Sequence, residues 1–302
     1  MPPKKIRDIA TRALSIFGGA AGSRMDAAGI GRSVSAHAYP GGPQWPTERI
    51  LAQLDAGSFR GCTVHVHGLM GDDLTWRKDD REDLGGHLQQ HRGELPVYLR
   101  YNSGLDLHSN ARRLDAWMRE LEPALDANLP LSVVCHSMGG LIGLLAINRA
   151  HAPWTQQLRR LVLLGVPQHG APLARAASRT ESLLEELDTG WSKTIAVLFQ
   201  LRGESIADLA KGVRDTPIVV PPRARVFVAA GLLGDAPKPE VGAVRKLLGD
   251  ALVDLDSASG SLDRAHLEVF ERTGHQQLMY SGAVWNAVTE WWSASSSLER
   301  PP

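Results

Sequence analysis

The sequence is short of cysteine, of net charge and of long apolar runs, and each shortage excludes something. Only Cys62 and Cys135 occur in 302 residues, too few for a disulfide framework or a cysteine metal cluster. Both fall in or beside expected interior strands, and a bridge between them is not expected. The 33 Lys and Arg balance the 33 Asp and Glu, so neither a nucleic-acid footprint nor a polybasic membrane patch is present. No apolar run approaches the roughly 18 residues of a membrane helix. The charged amino terminus, Met1-Pro-Pro-Lys-Lys-Ile-Arg-Asp8, leads into no signal-peptide core. A cytoplasmic protein without a transmembrane span is the expectation. Internal repeats and low-complexity tracts are lacking too, which excludes solenoids and arrays.

What is present is apolar interior. Hydrophobic residues make up 43% of the chain, and a chain of this size buries about three quarters of its unfolded surface, enough for one large core. Residues 4 to 20 carry Ile6, Ile9, Ala10, Ala13, Leu14 and Phe17 at helical spacing. Residues 1–45 are therefore expected to form a helical arm that docks on the body or on a partner. From residue 46 to about 298 helical and strand patterns alternate. A helix is expected over 47–54 and strands over 62–67 and 95–101, followed by an amphipathic helix over 110–125. A strand over 131–136 and a helix to about 150 come next. Strands at 160–165, 224–230 and 266–271 and a helix at 283–292 complete the series. Such alternation builds a doubly wound, mostly parallel α/β sheet whose functional groups collect at the carboxyl ends of the strands. Residues 171–222 break the rhythm with extra helical patterns at Ser182–Leu187 and Ile195–Leu201. They read as a helical cap, forming a lid or the wall of an acyl pocket.

The most informative stretch is Leu131-Ser-Val-Val-Cys-His-Ser137-Met-Gly-Gly140. An apolar strand stops at a serine among small residues and an apolar helix begins at once. That bend forces the serine into an uncommon conformation and lifts its hydroxyl clear of the sheet. Cys135 stands where the Gly-x-Ser-x-Gly pattern has its first glycine; Gly139 keeps the second.

Hydrolysis by a serine needs a base, a carboxylate to orient the base, and donors for the developing oxyanion. The turn His67-Gly-Leu-Met-Gly71 follows a strand, and its Leu69 N–H, with that of Met138, would make the oxyanion hole. His275, between the last strand and the last helix, fits the base. For the acid, Asp235, Asp250, Asp254 and Asp256 all follow the strand at 224–230, the last two in the polar stretch Asp-Leu-Asp-Ser. Asp250 is favoured because Gly249-Asp-Ala-Leu-Val253 is a tight turn pinned by apolar residues. His67, His136, Gln168 and His169 are candidates to line the pocket, with His136, locked beside the nucleophile by the elbow, expected to pack inward; His108 reads as local structure. His65 and His67 alternate on one strand face, as two metal ligands would, but no third ligand stands at a telling spacing and no metal or other cofactor is expected.

Taken together, these residues resemble the α/β-hydrolase fold from about 60 to 292, and more narrowly bacterial lipases and esterases related to the GPI inositol-deacylase-like group. The resemblance is carried by His-Gly-Leu-Met-Gly at 67–71, Leu-Arg-Tyr-Asn-Ser-Gly-Leu at 99–105, and His-Ser-Met-Gly-Gly at 136–140. Gly-Val-Pro-Gln-His-Gly-Ala-Pro-Leu at 165–173 and Gly-Asp-Ala-Leu-Val at 249–253 complete it. In those relatives the aspartate of the Gly-Asp-x-x-Val turn is the triad acid, which implies that role for Asp250. Cys135 departs from the elbow glycine, and Gln168 stands where a histidine is frequent. The resemblance implies a serine ester hydrolase with the triad Ser137, Asp250 and His275, acting on small acyl esters with aliphatic chains. Thioesterase, phospholipase and amidase activities use the same apparatus. A non-catalytic binding protein, with the arm as contact surface, is the competing class; a metal-dependent hydrolase around His65 and His67 is a third.

Overall fold

The computed structural model describes residues 34–78, 82–125, 129–149, 152–170, 204–233, 253, 255–260, 262 and 264–294. The strands are β1 (Ser35–His37), β2 (Gln44–Trp45), β3 (Gly61–Val66), β4 (Glu94–Arg100), β5 (Leu131–His136), β6 (Leu158–Leu164), β7 (Arg225–Leu232) and β8 (Ala265–Glu271). They form one sheet in the order β2-β1-β4-β3-β5-β6-β7-β8. β1 runs antiparallel to both its neighbours, and every other pair is parallel. All six residues of β3 and all six of β5 are buried, as expected of central parallel strands covered on both faces.

The covering layers are helical. On one face α1 (Thr47–Asp55), α3 (Leu107–Leu121) and α4 (Met138–Ile147) pack Ile50, Leu114, Met118 and Leu141 against Val64, Val66, Leu161 and Leu163. On the other, α2 (Leu84–Arg92) and α8 (Gly282–Ala294) pack Leu84, Leu88, Val284 and Trp292 against Val134, Val162, Leu164 and Phe227. Helices on both faces of a mostly parallel sheet make the chain doubly wound, and the fold is that of the α/β-hydrolases.

Strand positions agree with the sequence pattern to within a residue or two, and two differences have physical causes. Residues 34–45 do not continue a helical arm: Ser35 to His37 pair with Arg100 to Tyr98 of β4, so the sheet begins ahead of residue 46. The rest of the arm lies outside the described residues. Helix α3 begins at Leu107 and not at 110, because the Asp106 carboxylate accepts the Ser109 N–H at 2.8 Å and caps it. His108 is thus part of its first turn. Between β6 and β7, Glu204–Lys211 forms helix α5, and Leu209 and Val213 reach the core. The patterns at 182–187 and 195–201 lie outside the described residues. The short helices α6 (Leu255–Ser259) and α7 (Gln277–Tyr280) complete the set.

At the start of β4, Glu94 is buried against α8, where its carboxylate accepts the Trp292 Nε1–H at 3.3 Å. Burial raises its pKa to about 7 despite Arg160 and that hydrogen bond. A carboxyl group that holds its proton more tightly folded than unfolded contributes most below its unfolded pKa. That contribution is lost as pH rises through about 7. The full swing is about 3 kcal/mol. Glu94→Gln should therefore flatten the fall in melting temperature between pH 5 and pH 8 and raise it at pH 8. Equal slopes for the two proteins would contradict this account.

Candidate active site

Ser137 joins β5 to α4 with φ 55° and ψ −129°, a region that costs a non-glycine residue about 1–3 kcal/mol. The surroundings impose it. The Ser137 N–H donates to the Leu164 carbonyl at the end of β6 at 2.9 Å, and the Ser137 carbonyl accepts from Gly140 N–H at 2.9 Å. All ten residues of α4 are buried, whereas Ser137 remains half-buried, so its side chain is the accessible one. A Cβ on Gly139 would lie 2.5 Å from the Val66 carbonyl oxygen and collide with that of His67; only glycine lets the helix start this close to β3.

Cys135 occupies the position of the elbow's first glycine because the space has been supplied from the helix. A Cβ on Gly143 would sit 2.8 Å from the Cys135 sulfur, so the missing glycine has in effect moved to α4. The thiol is fully buried and burial raises its pKa, which makes it inert and no rival nucleophile.

The turn after β3 passes directly beside the serine: a Cβ on Gly68 would be 3.0 Å from Ser137 Cβ. Three ties fix its shape. Gly71 N–H donates to the Gly68 carbonyl at 3.1 Å. Met70, at φ 57°, donates its N–H to Ser103 Oγ at 2.8 Å. The Tyr101 hydroxyl donates to the His67 carbonyl at 2.5 Å. Among the described residues the Leu69 N–H makes no hydrogen bond. Met138, as the first residue of α4, has no intrahelical acceptor for its own N–H. Tyr101 and Ser103, which lie in the 99–105 motif, had no assigned role in the sequence; their spacing from the turn is visible only once β3 and β4 pair.

His275 lies between β8 and α7 and is 6% exposed. Its loop is held on both sides: Thr273 N–H donates to the Leu232 carbonyl at the end of β7 at 2.9 Å, and Gly274 N–H to Gln277 Oε1 at 2.8 Å. The His275 carbonyl accepts from His136 Nε2 at 3.1 Å, and the two rings are 4.7 Å apart. Ser137, the 67–71 turn and the His275 loop therefore meet at the carboxyl ends of the strands. Asp235, Asp250 and Asp254 lie outside the described residues.

The pocket candidates differ in exposure. His67, His136 and Gln168 are 0%, 4% and 3% exposed and brace the site from behind. His67 donates Nδ1–H to the Gly68 carbonyl at 2.8 Å, accepts the Tyr101 N–H at Nε2 at 3.4 Å and stacks on the Tyr101 ring. Gln168 Nε2 donates to the Ala258 carbonyl at 2.9 Å, joining the loop after β6 to α6. His169 is half-buried, its N–H bonded to Ser257 Oγ at 3.1 Å. His65 is a core residue between Tyr98 and Trp76, and burial pushes its pKa down to about 3. His65 and His67 thus have separate aromatic partners, and among the described residues no three His, Cys, Asp or Glu side chains are grouped to hold a metal ion. Nor is any described helix long and apolar enough to cross a membrane. A cavity of about 330 Å³ lined by Ile218, Val220, Val226 and Leu262 opens at the amino end of β7, away from Ser137.

No protein-family model and no curated protein matches this chain. Among solved structures it is similar to the mature form of the Bacillus licheniformis lipase BlEst2. The identity is 20%, the TM-score 0.56, and the match covers 77% of this chain and 91% of the lipase. The propeptide form of the same lipase matches at 19% identity and TM-score 0.56 over 86% of this chain and 53% of that one. At these identities the likeness establishes the shared fold.

Proposed function

We propose that the protein is a serine carboxylic-ester hydrolase of the esterase or lipase type. One observation carries the reading: Ser137 is held in a strained strand-to-helix elbow, with a glycine turn against its Cβ and the His275 loop hydrogen-bonded to its neighbour His136. Ser137 Oγ attacks the acyl carbonyl carbon while His275 takes the hydroxyl proton. Asp250 fixes the imidazole tautomer and stabilises the imidazolium. The Leu69 and Met138 amides hold the oxyanion. Collapse expels the alcohol with the proton from His275, and water, activated by the same base, releases the acid from the acyl-enzyme. The lipase neighbour and the motif resemblance to the GPI inositol-deacylase-like esterases favour esters with aliphatic acyl chains, with the segment 171–222 as the cap over them.

A fluorophosphonate probe tests this. It should attach covalently, one per chain, at the peptide containing Ser137, and Ser137→Ala should take up none. A folded wild-type protein that does not label would overturn the assignment and leave a non-catalytic binding role.

A further inference from the structure

His136 stands directly before the nucleophile, yet at 4% exposure it cannot reach a substrate. A buried imidazole is costly unless its polar atoms find partners. Its Nε2 lies 3.1 Å from the His275 carbonyl oxygen. A carbonyl only accepts, so the ring is the Nε2–H tautomer. Nδ1 is then a bare lone pair, with no hydrogen-bond partner among the described residues. It faces the turn after β3, where a Cβ on Gly68 would lie 3.4 Å away. Burial, and after it the neighbouring His275, push the His136 pKa well below the usual histidine range, so the ring stays neutral and keeps this one donor. Trp76 meets its edge at 6.5 Å and the His275 ring lies tilted at 4.7 Å, which leaves the imidazole little room to turn.

We propose that His136 is a positioning residue for the base: its Nε2–H, donated to the His275 carbonyl, sets the distance between the Ser137 hydroxyl and the His275 imidazole. The inference rests on the ester-hydrolase reading. The bond runs from the residue next to the nucleophile to the backbone of the base itself, so it spans the gap that proton transfer must cross. Two further ties of the loop, through Thr273 and Gly274, lead to β7 and to Gln277. Misplacing a reacting group by about 1 Å costs on the order of 100-fold in rate.

The test compares wild type with His136→Phe, which keeps the ring volume and removes the N–H, and His136→Gln, which carries an N–H at similar reach. Hydrolysis of p-nitrophenyl butyrate and the rate of fluorophosphonate labelling are measured on each. The Phe variant should lose about 10- to 100-fold in both kcat and labelling rate with KM little changed, and Gln should recover most of that loss. Wild-type rates in the Phe variant, or a Gln variant as slow as Phe, would overturn the role. If the Phe variant does not fold, Asn replaces it: the same amide is then too short to reach the carbonyl, and an Asn variant as fast as Gln would overturn the role equally. Failure of wild type itself to label sinks the hydrolase reading; labelled wild type with insensitive His136 variants sinks only the positioning role.

Discussion

Replacing His275 by alanine is expected to lower kcat for a p-nitrophenyl ester by about 10⁴- to 10⁶-fold, the range seen when a serine hydrolase loses its base. The labelling rate should fall alongside it, and the fold should survive. The choice of base follows from what the other buried rings do. His136 gives its one proton to a backbone carbonyl. His67 gives its proton to the Gly68 carbonyl and fills its second nitrogen with the Tyr101 N–H. His65 is stacked on Tyr98 with its Nε2 3.3 Å from Thr63 Oγ1. Each of those rings is fixed in one tautomer or held in the core, whereas a general base must exchange a proton twice per turnover. His169→Ala, on the loop after β6, should leave kcat close to wild type. A His275→Ala enzyme within about tenfold of wild type would contradict the role of general base, whose contribution is at least about 10²-fold.

The pattern of apolar runs makes the parallel sheet legible, because β3, β5, β6 and β7 are buried on both faces and their sequences need no alternation. β1 and β2 are not legible: three and two residues are too few for a pattern, and β1 joins the sheet through β4, a strand some sixty residues away. Helix α2 is masked by Gly85 and Gly86, which weaken helix propensity. Gly85 is required because a Cβ there would strike the Tyr98 ring. The strand-to-helix bend at Ser137 could be read from residue types, since small residues set between an apolar strand and an apolar helix mark such a junction. The partners of the buried histidines are not legible, for the opposite reason. Burial is a tertiary property, and nothing near His67 or His136 in sequence announces Tyr101 or the His275 carbonyl. Cys135 can stand in the elbow because Gly143, in the second turn of α4, makes room for it.

Asp250→Asn is expected to reduce kcat by about 10⁴-fold, because an amide in place of the triad carboxylate holds the imidazole in the wrong tautomer. Chain geometry supports an acid after β7. Thr273 N–H is bonded to the Leu232 carbonyl at 2.9 Å, so the His275 loop departs from the same strand end at which the acid's loop begins. Val253 is buried with Ala230 and Leu232, which brings the chain back to that end. Val253 follows Asp250 by three residues, and three residues of extended backbone span at most about 10 Å. Asp235 is equally near in sequence to Leu232, so reach alone does not separate the two. The sequence pattern does: Asp250 stands in the Gly-Asp-x-x-Val pattern ending at Val253, whereas Asp235 is followed by the Pro-rich Ala236-Pro-Lys-Pro239. Asp235→Asn and Asp254→Asn should therefore leave kcat nearly unchanged and KM unaltered. If Asp235→Asn is the crippled variant instead, the acid belongs to the start of the loop, and the anchoring of Val253 against β7 serves the fold alone.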